Sequence, residues 1–137
     1  MMSPVPQYAL LAIDDETEVL EMIRDHFSLR GFEVHTAGDG REGILLCEKI
    51  RPDAILLDLK MKDLDGDKAL VQLRALVPDA KVFVISGYQD ELAQKRIGGL
   101  PVTAYFEKPV SILELEKAVR RALTDGSSSF SHCQLLG

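Results

Sequence analysis

The sequence predicts an α/β domain: a five-stranded parallel sheet with helices on both faces. Three observations predict it. Short apolar runs, too brief for helices, recur along the chain at the spacing of βα units. Between them lie segments whose apolar residues follow the helical period. Four of the runs also stop on polar side chains at their carboxyl ends, the edge at which open α/β sheets bind ligands.

The central run is Asp53-Ala54-Ile55-Leu56-Leu57-Asp58, dense enough for a strand buried on both faces and stopped by an acid. A carboxylate there is costly unless a cation meets it. Residues 1–7 contain Pro4 and Pro6 and no periodicity, so they are read as a loose leader. Residues 8–13 form the first strand, closing at Asp14-Asp15. Val19, Leu20, Ile23 and Phe27 then recur at helical spacing, with Glu16, Glu18 and Glu21 near the positive end, and Gly31 stops that helix. Residues 32–37 read as a second strand. Residues 40–49 read as a second helix, with Ile44, Leu45 and Ile50 as its apolar side; Pro52 separates it from the central strand.

After Asp58 comes a loop through Gly66, then a helix with Leu70, Leu73 and Leu76 or Val77 inward, closed by Pro78. Residues 81–86 are a fourth strand ending at Ser86. Residues 89–97 read as a short helix stopped by Gly98-Gly99, and 102–107 as a fifth strand running into Lys108-Pro109. The last helix opens on a capping box, Ser111 with Glu114, and buries Ile112, Leu115, Val119 and Leu123. The expected organisation is one domain over 8–124, with 125–137 a flexible tail or the start of a linker.

Composition narrows the function classes. A net charge of −6 argues against a general nucleic-acid or anionic-membrane surface. The apolar run at 8–13 is cut off by acids and lacks a basic lead, so neither a signal peptide nor a membrane span is expected. Cys47 and Cys133 match no metal spacing and fit a reducing, cytoplasmic compartment, with Cys47 as core. His26, His35 and His132 are scattered and read as surface residues rather than metal ligands.

The polar strand ends are Asp14 and Asp15, Asp58, Ser86 and Lys108. Strands ~4.8 Å apart bring such residues into one small volume. Carboxylates ~5 Å apart repel by roughly 3 kcal/mol per pair at an effective dielectric of about 20. One lysine leaves the cluster short of neutral, and an oxygen-seeking divalent ion such as Mg²⁺ would balance it. Taken singly, Asp15 can equally be a helix N-cap, Asp58 a turn former, Ser86 a loop start and Lys108 a solvated lysine. Their recurrence at equivalent strand ends favours a single site.

This set, with the 61–66 loop and Tyr105, resembles the receiver domain of two-component response regulators over nearly the whole chain, from Tyr8 to about Leu123. The resemblance implies strand order 2-1-3-4-5. It implies that Asp58 accepts a phosphoryl group from a phosphohistidine on a sensor histidine kinase or histidine phosphotransfer protein. Asp15, Asp58 and the Lys60 carbonyl would hold Mg²⁺ directly, and Asp14 through water. Lys108 and Ser86 would engage the phosphoryl oxygens, and Ser86 with Tyr105 would form a switch read by a downstream output domain or protein. The implied protein is a cytoplasmic signalling domain rather than an enzyme, without nucleic-acid or membrane contact, and a phosphorylation-dependent dimer is compatible with it. Lys62 stands where the family usually carries proline. Lys60 and Tyr88 flank the phosphoryl position, so slow self-dephosphorylation is expected.

Other phosphate-handling readings fit less well. There is no GxxxxGK[ST] loop and no GxGxxG after the first strand. A haloacid-dehalogenase-type phosphatase needs an acid where Lys60 stands. The remaining alternative is a non-phosphorylated interaction module of the same fold. The chain is expected to be either a stand-alone receiver or the first domain of a longer protein.

Overall fold

The computed structural model describes residues 8–61, 66–87 and 102–125. Its strands are β1 (Tyr8–Ile13), β2 (Phe32–Ala37), β3 (Ala54–Asp58), β4 (Lys81–Ser86) and β5 (Ala104–Glu107); its helices are α1 (Thr17–Leu29), α2 (Gly40–Ile50), α3 (Gly66–Leu76) and α4 (Ile112–Asp125). The strands form one sheet in the order β2-β1-β3-β4-β5. Every pairing is parallel, so all carboxyl ends lie along one edge. The helix expected over 89–97, its Gly98-Gly99 stop, the leader over 1–7 and the tail beyond Asp125 lie outside the described residues, as do Lys62 and Tyr88.

The sheet separates two cores, and strand alternation decides which residue enters which. Leu11, Ile13, Ile55, Leu57, Val82 and Val84 pack against Cys47 of α2 and Leu70 and Leu73 of α3. Their neighbours Leu10, Ala12, Leu56, Phe83 and Ile85 pack on the opposite face against Ile23 and Phe27 of α1 and Leu115 and Val119 of α4. β3 sits in the middle and is buried along its whole length, which explains its unbroken apolar run. Each such aliphatic side chain stabilises the fold by roughly 1.5–3 kcal/mol.

Capping fixes where helices begin. Asp39 accepts the Glu42 N–H at 2.8 Å while the Glu42 carboxylate accepts the Gly38 N–H at 3.0 Å, fastening the start of α2 from both sides. The Ser111 hydroxyl accepts the Glu114 N–H at 3.3 Å at the start of α4, as the capping box predicts. Arg51, in the left-handed region at φ 48°, ends α2 by returning its N–H to the Cys47 carbonyl.

Two expectations are corrected. Leu45, assigned to the apolar side of α2, is 64% exposed; the inward face is instead Gly43 and Cys47, flanked by the partly buried Ile44, Leu46 and Ile50. A run of consecutive apolar residues blurred the phase, and the small residues let the helix sit close to the sheet. His26 and His35 are half-buried rather than surface residues, while His132 lies outside the described residues. His26 contacts Glu116 of α4 at 2.7 Å, and Glu116 also meets Arg120 at 2.8 Å and Arg30 at 3.3 Å. Arg120 lies 5.1 Å over the Phe32 ring and donates to the Arg30 carbonyl, so this cluster clasps α1 and β2 to α4. Burial alone would raise the Glu116 pKa, but the hydrogen bonds from Arg120 and His26 and the charges of Arg120 and Arg30 outweigh that and pull it down to about 2.

Candidate phosphoacceptor site

The carboxyl ends of β1, β3, β4 and β5 carry the site. β3 delivers Asp58 at its last position, 3% exposed, with Asp14 equally buried just past β1. Asp14, Asp15 and Asp58 each offer an oxygen within 4.8 Å of the others, three hard donors of the kind that hold Mg²⁺ or Ca²⁺. Lys108 approaches from the end of β5, its N–H bonded to the Ser86 carbonyl at 2.8 Å. Its ammonium lies 3.4 Å from Asp58, 3.2 Å from Asp14 and 3.0 Å from Glu16.

Burial dominates the electrostatics. It pushes the Asp58 carboxyl up to about 7, reinforced by the charge of Asp14 and opposed by Lys108 and by the Lys60 N–H, which donates to Asp58 at 3.2 Å. Asp14 is also raised, mainly by burial and against the Glu16 N–H and Lys108. For Lys108 burial acts to lower the pKa, but Glu16, Asp58 and Asp14 together overcome it and hold the amine firmly protonated. The site is therefore a buried carboxylate pair with one fixed cation and oxygen donors aimed at a shared volume.

A family profile described as the response regulator receiver domain matches residues 10–120. The chain belongs to this family. The receiver domain is 39% identical over 127 residues to the transcriptional regulatory protein PrrA of Mycobacterium leprae, covering 88% of this chain and 54% of PrrA. It is 35% identical over 116 residues to the regulatory protein AtoC of Escherichia coli K12, covering 83% of this chain and 25% of AtoC. The chain thus spans about half or less of the length of these relatives. A crystal structure of a response regulator receiver domain protein from Clostridium thermocellum superposes with a TM-score of 0.78 at 27% identity, covering 85% of this chain and 94% of that one.

Within the receiver domain, Ser86 is wholly buried at the end of β4. Tyr105 of β5, opposite Val84 in the register, packs against the same core as Val84, on the α2 and α3 side of the sheet. Strand alternation puts Ser86 on that side too. Lys60 is exposed just beyond β3. Asp15 is half-exposed and does not occupy the N-cap of α1; that position belongs to Glu16. Glu16, expected from the sequence only to favour the positive end of α1, reaches Lys108 with its side chain. The signal available was the run of three acids, Asp14-Asp15-Glu16.

Among the described residues no helix is long and apolar enough to cross a membrane.

Proposed function

We propose that Asp58 is the phosphoacceptor of this receiver domain and takes its phosphoryl group from a phosphohistidine of a sensor kinase or phosphotransfer protein. The observation that carries this reading is the meeting of Asp14, Asp15 and Lys108 around the buried Asp58 carboxylate. A purely structural aspartate at a strand end would not be surrounded by two further acids, because each adds repulsion that folding must overcome.

In the transfer, an Asp58 oxygen attacks phosphorus in line as the bond to the donor breaks. Phosphoryl transfer asks of the protein chiefly alignment and charge compensation. The Lys108 ammonium donates to a phosphoryl oxygen, and the Ser86 hydroxyl donates to a second. Asp14, Asp15, Asp58 and the Lys60 carbonyl are the groups that would hold Mg²⁺. When bound, Mg²⁺ supplies the positive charge that keeps Asp58 ionised and offsets the phosphoryl oxygens. Drawing Ser86 toward the new anion opens space beside Tyr105, whose inward rotation relays the charge change as a packing change. For a change from 1:99 to 99:1, phosphorylation must favour the active arrangement by ~5.5 kcal/mol. The name of PrrA, a transcriptional regulatory protein, favours a transcriptional output for the pathway.

Incubation with acetyl phosphate and Mg²⁺ tests the reading. The expected result is a phosphoryl-sized mass gain in the wild type and none in Asp58→Asn; no gain in the wild type supports the interaction-module alternative.

A further inference from the structure

Glu16 sits where a helix N-cap belongs, yet its side chain makes no capping hydrogen bond. Its backbone is fully engaged without it: the N–H donates to Asp14 at 2.9 Å, and the carbonyl accepts from Val19 and Leu20. Instead the carboxylate crosses to Lys108, at 3.0 Å the shortest of the three approaches to that ammonium. An ammonium has three protons, and three carboxylates face it here. Two of them, Asp14 and Asp58, are buried, while Glu16 is 59% exposed at the rim.

A phosphoryl oxygen that needs Lys108 must displace one of these acceptors. The cheapest to release is the one that water solvates at once, namely Glu16. We infer that Glu16 is a positioning residue that holds Lys108 toward the rim in the unphosphorylated protein and hands it over when Asp58 is phosphorylated. This rests on Asp58 being the phosphoacceptor and adds a group that regulates how readily the site loads.

The consequence is asymmetric. Loading includes the cost of parting Lys108 from Glu16, whereas in the loaded protein that contact is already gone. Removing the Glu16 contact therefore speeds phosphorylation and leaves hydrolysis of the phosphoryl group unchanged. An exposed ion pair changes such a rate by about two- to fivefold.

The test uses acetyl phosphate at saturating Mg²⁺, read by intact mass. An Asp58 oxygen bonds phosphorus as the acetyl oxygen–phosphorus bond breaks and acetate leaves. Three variants separate position from charge. Glu16→Gln removes both the contact and the charge. Glu16→Asp keeps the charge but is too short to reach Lys108 and turns to cap α1. Glu18→Gln removes an equal charge from an exposed position on the same turn.

The inference expects faster loading, by about two- to fivefold, in both Glu16 variants and wild-type loading in Glu18→Gln, with one hydrolysis rate throughout. Wild-type loading in Glu16→Asp, or an equal gain in Glu18→Gln, reduces the effect to net charge and overturns it. A second readout needs no phosphoryl transfer: hydrogen exchange of the Lys108 ammonium in the free protein, followed by NMR, quickens in both Glu16 variants and not in Glu18→Gln. If the wild type takes up no phosphoryl group, the proposed function fails. Unchanged exchange in both Glu16 variants overturns the hold on Lys108 by itself.

Discussion

Replacing Asp58 with asparagine should stabilise the metal-free protein, and do so only at neutral and alkaline pH. Asp58 is 3% exposed, and its pKa rises from an ordinary 3.8 to about 7. Between those values the folded state binds more protons than the unfolded chain, so Asp58 makes stability fall as pH rises through that window. The interval corresponds to roughly 4 kcal/mol against the ionised form. Asp14 is buried beside it and titrates with it, so about half, ~2 kcal/mol, is assigned to Asp58 alone. Asparagine stands in for the neutral acid and can still accept the Lys60 N–H. Urea unfolding in a chelator should show Asp58→Asn matching the wild type near pH 4 and exceeding it by ~2 kcal/mol at pH 8. Adding Mg²⁺ at pH 8 should narrow or reverse the gap, because the ion binds the folded wild type more tightly. A variant less stable than wild type at pH 8 in chelator, or an advantage independent of pH, would refute this account of the site.

Glu116→Gln should cost about 1–2 kcal/mol at pH 7, less than its full shift implies because Arg30 and Arg120 are substantially exposed. Glu116 falls from an ordinary 4.5 to about 2, so its contribution is present above pH 4.5 and fades as pH drops toward 2, which denaturant curves across that range will show. Gly66→Ala should destabilise by roughly 1–3 kcal/mol, since the new Cβ would lie 2.6 Å from the Leu59 carbonyl oxygen, a backbone atom that cannot swing aside. Gly43→Ala should also destabilise, because its Cβ would lie 2.8 Å from Cγ1 of the buried, β-branched Ile13, but by less than Gly66→Ala, since a side chain and not the backbone must shift and alanine favours the helix; thermal melts of the two variants test the order. Leu45→Lys should change stability by no more than about 0.5 kcal/mol, an outcome that chemical denaturation can contradict if Leu45 is core after all.

Much of this was legible from pattern. Burial on both faces makes β3 and β4 continuous apolar runs, and the sharp change to a polar residue at the carboxyl end of each marks the site edge in the sequence itself. The order of the strands came from family resemblance, because periodicity does not say which strands are neighbours. The phase of α2 was misread because Ile44 to Cys47 is apolar throughout, and it is Gly43 beside Ile13 that shows which side faces the sheet. Side chains that act across long sequence separations were least legible. The reach of Glu16 to Lys108 and the contacts of Glu116 with His26 and Arg30 join residues 86 or more positions apart, so no spacing in the sequence pairs them.

The clasp between α1 and α4 has a consequence for synthesis. A ribosome releases Phe27 and Phe32 well before Arg120, whose guanidinium covers the Phe32 ring, and before Leu115 and Val119, which share their core. Until those residues emerge, the apolar surface of the sheet and of α1 that α4 covers stays exposed to solvent, so the domain cannot finish folding early. Chaperone capture of stalled chains should therefore be strong for lengths that stop short of α4 and weak once it is free of the exit tunnel.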